Sequence, residues 1–206
     1  MVQYKLTYFD GRGPAEVIRQ IFVLAGAEYE DVRIPRDEWP KHKSEMPFGQ
    51  MPVLEVDGQQ LAQSFAIARF LAKKFGLTPK CPFEEAQVDS LMDQFKDFQN
   101  EVRPAFTVML GFAEGDKDKL IKEVLLPGRD KFFGFMTKFL KKNNTGYLVG
   151  SSITIPDLLL AEFSSEMSKK VPNLLEGYPE IKAHAEKVRS NPALKKWIET
   201  RPETPF

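Results

Sequence analysis

The sequence predicts an α/β domain followed by an all-helical domain. Three observations carry this. Up to residue 63, short runs of period-two alternation are interleaved with segments of helical period. Beyond residue 83, every apolar pattern has helical period. Between the two, Thr78 to Pro82 holds two prolines and no apolar periodicity, as a linker does. The expected division is residues 1–77, a linker at 78–82 and a helical domain at 83–206.

Taken in order, Tyr4, Leu6 and Tyr8 alternate with Lys5 and Thr7, which is strand periodicity. Asp10-Gly11-Arg12-Gly13 reads as a loop, and Pro14 suits the first turn of a helix, where its missing N–H costs nothing. Val17, Ile18, Ile21, Phe22 and Leu24 give that helix an apolar face, and Gly26 stops it. Glu28 to Ile34 is a second strand. Residues 35–51, broken by Pro35, Pro40, Pro47 and Gly49, read as irregular. Val53 to Val56, Asp57-Gly58 and Gln59 to Gln63 form a hairpin, because Asp-Gly accepts the positive φ of a tight turn. Ser64 is the expected N-cap of a helix carrying Phe65, Ile67, Ala68 and Leu71.

The remainder is helical. Phe83 to about Leu110 is a long helix with Val88, Leu91, Met92, Phe95 and Phe98 inward and a kink expected at Pro104. Lys117 to Lys142 is a second, with Pro127-Gly128 as a bend, and its Phe132 to Phe139 cluster reads as core. Thr154-Ile155-Pro156-Asp157 is close to a capping box and opens a third helix, a folding device with no chemistry. Shorter helices follow at 180–190 and 192–200. A βαβ unit followed by a ββα unit is the thioredoxin arrangement, here without the Cys-x-x-Cys pair that usually follows its first strand.

Composition narrows the function. The 206 residues carry 29 basic and 29 acidic side chains, with ten of each sign within residues 1–77. No basic half or acidic tail exists, which argues against nucleic acid or an anionic membrane as partner. One cysteine, Cys81, excludes an intramolecular disulfide and a multi-cysteine zinc site, and two histidines make a histidine metal site improbable. No metal is expected. No apolar run is long enough for a membrane span, and the start has no signal-peptide pattern, so a reducing, cytoplasmic home is expected.

Three stretches in this frame resemble the cytosolic glutathione transferases. They are Tyr4-Lys5-Leu6-Thr7-Tyr8-Phe9 with Arg12-Gly13 and Ala15-Glu16, Pro47-Phe48-Gly49-Gln50-Met51-Pro52-Val53-Leu54, and Gln63-Ser64-Phe65-Ala66-Ile67-Ala68-Arg69-Phe70-Leu71. The Thr154 to Asp157 segment matches the family's capping segment. Within the family the chain is most similar to the sigma class, especially its nematode-type (nu) branch.

The resemblance implies a site. Tyr8 would stabilise the thiolate of glutathione, the co-substrate. A thiol near pKa 8.5 is mostly protonated at neutral pH, and lowering that value by about two units needs roughly 2.7 kcal/mol. One charge-assisted hydrogen bond and the N-terminus of the first helix could together supply it. Arg12 is a possible thiolate support. Sigma-class relatives often carry a basic residue immediately after Gly13, where this chain has Pro14. Met51, before a cis-type proline, would pair by main chain with the cysteinyl backbone. Gln63 and Ser64 would hold the γ-glutamyl carboxylate, Trp39 and Lys43 the glycyl end and Gln50 the peptide backbone. Asp97 would reach across a homodimer, formed by the 64–75 and 83–110 helices, to the γ-glutamyl ammonium. Phe9, Val102, Phe106 and Leu110 are candidates for an apolar substrate pocket, which Phe206 could cover.

The implied activity is conjugation of glutathione to small hydrophobic electrophiles, a detoxification reaction. Two alternatives stand beside it. One is glutathione-dependent prostaglandin D synthesis, against which Pro104 and Lys96-Asp97 depart from the synthase pattern. The other is carriage of haem or another apolar ligand at the dimer cleft, as a ligandin.

Overall fold

The computed structural model describes residues 2–204. Its contacts divide the chain into two compact units, one holding the residues up to Leu77 together with the segment from Asn191 on, the other Thr78–Ser190.

The first unit is built on a four-stranded sheet in the order β2-β1-β3-β4. Strand β1 (Tyr4–Phe9) pairs in parallel with β2 (Glu30–Ile34) and antiparallel with β3 (Val53–Val56), which pairs with β4 (Gln59–Ala62). The β3–β4 turn places Asp57 at φ 48° and Gly58 at φ 84°, the double positive φ that the Asp-Gly pair predicts. Helix α1 (Glu16–Ala25) follows a single 3₁₀ turn at Gly13–Ala15, so Pro14 occupies that turn and the α-helix proper starts two residues later. Gly26 ends α1 in the left-handed conformation. The 35–51 stretch, expected to be irregular, contains helix α2 (Trp39–His42) and a further 3₁₀ turn at Lys43–Glu45. Helix α3 (Ser64–Lys74) completes the sheet domain. Leu6, Ile18, Ile21, Phe22, Leu54, Ile67 and Leu71 are fully enclosed and form the core, where burial of each large side chain contributes roughly 1.5–3 kcal/mol.

The second unit is helical: α4 (Pro82–Met109), α5 (Lys117–Leu120), α6 (Leu126–Asn143), α7 (Ile155–Ser168) and α8 (Pro179–Arg189). Helix α4 continues through Pro104, and the inward residues expected on it are all buried. The single helix expected over 117–142 is interrupted by a π-helical stretch, Ile121–Leu125. Pro127 lies just beyond it and cannot donate to the carbonyl four residues earlier, so a wider turn at this point is the available solution. Phe132 and Phe133 are buried as expected, and Phe98 stacks on Phe132 at 4.5 Å between ring centres.

The capping box at Thr154 is present, and it is larger than the sequence indicates. Asp157 is fully buried and accepts four hydrogen bonds: from Leu148 N, Thr154 N and Thr154 Oγ1, each at 2.8 Å, and from His184 Nε2 at 2.9 Å. A buried carboxylate is stable only when its acceptor sites are filled this way.

Helix α9 (Pro192–Thr200) differs from the expected division. Its chain returns to the first unit, and Trp197 Nε1 and Arg201 donate to the buried Glu16 carboxylate at the start of α1, at 2.7 and 2.6 Å. The reason is electrostatic: Glu16 is 2 % exposed and needs donors that the first 77 residues do not supply in sufficient number. Among the described residues, no helix is long and apolar enough to cross a membrane.

The Asp157 network yields a stability prediction. Asp157→Ala strips four donors of their acceptor and should lower stability by about 3–5 kcal/mol. A urea melt showing a loss below about 1 kcal/mol would mean that solvent replaces the carboxylate.

Candidate active site

Strand register brings the sequence-remote candidates together. Thr7 pairs with Val53, and Val53 pairs with Ala62. One residue beyond each of these positions stand Tyr8, Pro52 and Gln63, so three segments converge on one end of the sheet. The Met51–Pro52 peptide bond is cis.

Tyr8 is 7 % exposed. Burial pushes its phenol up to about 12, against a weaker downward pull from the guanidinium groups of Arg19 and Arg36. The phenol therefore keeps its proton across the physiological range and is available as a donor. Its hydroxyl lies against the backbone of Gly13. A Cβ at residue 13 would sit 2.5 Å from the Tyr8 oxygen, and Gly13 has φ 40°, so glycine is required there on both counts. The Gly13 identity, read from sequence as part of a loop, is thus a direct constraint on where the hydroxyl rests.

Around Tyr8 an aromatic chain runs outward. Tyr8 meets Phe9 edge-to-face at 5.5 Å, and Phe9 meets Trp39 in the same manner at 5.5 Å. Trp39 and Phe9 are half-buried, and Lys43, Gln50 and Gln63 are exposed. Lys43 lies beside Gly49, one residue from Gln50: a Cβ at Gly49 would meet the Lys43 side chain at 3.5 Å. Phe9 and Trp39 are thus joined to Tyr8 by ring contacts, and Gln63 stands at the same end of the sheet by strand register.

Gln63 corrects an expectation. The residue that caps α3 is Gln63, and Ser64 is the first residue of the helix. Gln63 adopts φ 74°, ψ 111°, a region that side-chain-bearing residues rarely occupy, and it makes no side-chain cap bond. Such strain costs of order 1–3 kcal/mol and persists mainly where a ligand or switch uses it. Ser64, whose own N–H is among the unsatisfied donors of the helix start, is half-buried.

Arg12 is half-buried in the loop, and its carbonyl faces Arg19 Nη1 at 3.5 Å. Arg19 itself escaped the sequence reading, because an arginine on the apolar side of an amphipathic helix gives no signal in a hydrophobic pattern. It is 0 % exposed and donates to Gly11 O at 2.7 Å and to Asp31 at 3.1 Å.

The remaining candidates belong to the helical unit. Asp97 is exposed on α4. Phe106 and Leu110 are half-buried, and Phe106 approaches Phe163 at 6.1 Å. Val102 is not a pocket wall: it is fully enclosed, and a Cβ at Gly128 of α6 would lie 2.7 Å from it, so it belongs to the α4–α6 contact. Phe206 lies outside the described residues.

Comparison with known proteins bears on the family and the fold. A family model for the glutathione S-transferase N-terminal domain matches residues 4–73, and one for the C-terminal domain matches residues 96–201. The chain is 58 % identical over its full length, and that of the relative, to a Caenorhabditis elegans protein named probable glutathione S-transferase 8. Among solved structures it is similar to monomeric Na-GST-3 of the hookworm Necator americanus, with 72 % identity, TM-score 0.97 and coverage of 99 % of this chain and 100 % of that one. It is likewise similar to a Nu-class enzyme of Haemonchus contortus, with 64 % identity, TM-score 0.92 and both chains fully covered. A prostaglandin synthase D structure from Nilaparvata lugens is more distant, at 37 % identity and TM-score 0.86 over 98 % of this chain and 100 % of that one.

The buried phenol gives a spectroscopic prediction. In a pH titration of tyrosinate absorbance, Tyr8 should still be protonated at about pH 11, where an ordinary tyrosine is largely ionised. Tyr8→Phe should therefore leave the curve below that pH nearly unchanged. Loss of a transition near pH 10 would show that Tyr8 is hydrated.

Proposed function

The chain belongs to the glutathione S-transferase family, and from that premise we propose that Tyr8 donates its phenolic hydrogen to the sulfur of bound glutathione. The thiolate so held attacks an electrophilic carbon of a small apolar compound. The S–C bond forms as the leaving group departs with its electron pair, and the thiol proton passes to solvent. The observation that carries this reading is the buried, protonated Tyr8 hydroxyl at the end of β1, with its position set by Gly13. A hydrogen bond to a charged group contributes about 1.5–3 kcal/mol, or one to two pKa units on the thiol, which matches what the chemistry needs.

Glutathione would lie along the sheet end. Met51 offers its backbone as an added strand does, Gln63 and Ser64 present the α3 N-terminus to the γ-glutamyl carboxylate, and the strained Gln63 backbone supports that role. Trp39, Lys43 and Gln50 border the glycyl end and the peptide backbone, and Asp97 of a second copy completes the γ-glutamyl contact. Phe9, Phe106 and Leu110 are the apolar candidates for the electrophile, and Arg12 adds positive potential near the sulfur. The enzyme is a nematode-type transferase, similar to a Nu-class protein, and the greater distance of the prostaglandin synthase supports general conjugation over isomerisation. The single cysteine supports a cytoplasmic setting.

Two predictions follow from the assignment. Tyr8→Phe should reduce kcat/KM for an aryl halide by about 10–100-fold near pH 6.5, and the deficit should shrink as the pH approaches about 8.5, where the free thiol ionises unaided. A constant deficit across that range would sink the thiolate mechanism. Sedimentation should report a mass near twice 23.5 kDa if Asp97 acts in a dimer, and a monomer, as in Na-GST-3, would remove Asp97 from the site.

A further inference from the structure

The loop between Tyr8 and α1 is fastened at three successive residues. Asp10 is held by its side chain, accepting from Arg33 Nη1 at 3.0 Å. Gly11 and Arg12 are held by their carbonyls, accepting from Arg19 Nη1 at 2.7 and 3.5 Å. The two arginines come from different elements, Arg33 from β2 and Arg19 from α1, and they meet on one carboxylate. Asp31 Oδ1 and Oδ2 accept from Arg19 Nε at 3.1 and 3.2 Å, and Oδ2 accepts from Arg33 Nε at 2.9 Å. Arg19 is fully buried, with Glu16 Oε2 at 3.6 Å from its Nη1, and its Nη2 has no partner. A guanidinium in that setting stays in place only because its remaining donors are saturated. The fourth residue of the loop is Gly13, against which the Tyr8 hydroxyl rests.

We infer that Asp31 and Arg19 are positioning residues for the thiolate: by fixing the carbonyls of Gly11 and Arg12, and through Arg33 the side chain of Asp10, they fix Gly13, and through it the Tyr8 hydroxyl. Asp31 touches neither sulfur nor electrophile in this account, and acts through Tyr8. The inference rests on the Tyr8 reading above.

Sign separates this role from a simple charge effect. The charges that act on Tyr8 are Arg19 from α1 and Arg36 after β2, with Asp31 as the counter-ion of Arg19. Removing the Asp31 charge leaves Arg19 with Glu16, 3.6 Å from its Nη1, as its remaining counter-ion, and by Coulomb's law alone the less compensated cation would favour the thiolate and lower the pH midpoint of activity. Loss of positioning acts in the opposite direction, because a displaced hydroxyl donates a poorer hydrogen bond.

The experiment measures the midpoint from kcat/KM against pH, and from the thiolate absorbance of bound glutathione, in the full-length enzyme. The variants are Asp31→Asn, Arg33→Met, Tyr8→Phe and Tyr8→Phe/Asp31→Asn. Asp31→Asn should raise the midpoint by about one unit, a tenfold loss of thiolate below it, while KM for glutathione changes by less than about twofold. Arg33→Met, which frees Asp10 but spares the Arg19–Asp31 pair, should raise it less. In the Tyr8→Phe background, Asp31→Asn should add nothing. An unmoved or lowered midpoint in Asp31→Asn, or an equal shift in both backgrounds, overturns the positioning role. If Asp31→Asn does not fold, Arg33→Met decides: a rise supports the inference and an unmoved midpoint overturns it. If Tyr8→Phe alone leaves the midpoint unmoved, the Tyr8 reading fails, a result distinct from either of these.

Discussion

The burial of Arg19 is the constraint on which the sheet domain is arranged. A guanidinium withdrawn from water is tolerated only where anions and carbonyls surround it, since an unpaired buried charge costs several kcal/mol. Helix α1 carries Arg19 inward beneath the end of β1, so the loop leaving β1 must turn its carbonyls toward it, and β2 must bring Asp31. The parallel pairing of β1 with β2 sets Asp31 opposite Leu6 and Arg33 opposite Tyr8, which is how one carboxylate comes to serve two arginines. The architecture of the corner around Tyr8 is thus dictated from behind, by an interior cation.

The helical unit repeats the logic with the sign reversed. Asp157 is a buried anion that gathers donors from the loop before α7, from the α7 N-cap and from α8. Both units therefore have a buried charge held by several partners at a point where loops and helices meet, in addition to an apolar core. Each such charge favours one arrangement over looser alternatives of similar hydrophobic content, because any other arrangement would leave donors or acceptors empty.

What could be read from the sequence, and what could not, separates along physical lines. Period-two alternation, Asp-Gly, Gly26 and the Thr154 to Asp157 segment are local signals, and the elements they mark lie within a residue or two of expectation. The convergence of Tyr8 and Met51-Pro52 on one sheet end, with its cis bond, was legible through resemblance, because it depends on position in the frame. Four features were not legible. The Gln63 backbone is strained, and strain is invisible in composition. The π-helical turn before Pro127 is a compromise between helix continuation and a missing donor. Val102 has the residue type of a pocket wall, but close approach of α6 at Gly128 encloses it. The attachment of the 191–204 segment to the first unit depends on a carboxylate, Glu16, whose burial only the tertiary structure reveals.

That last attachment bears on how the chain is made. Glu16 and Arg201 are 185 residues apart in sequence. A ribosome adding about 5–20 residues per second needs roughly 10–40 s to cover that distance. During this interval the nascent sheet domain carries a buried carboxylate without two of its donors. Its final closure is therefore a late event in biosynthesis, coming after the whole helical unit has emerged. An element made before the helical unit is completed by a segment made after it.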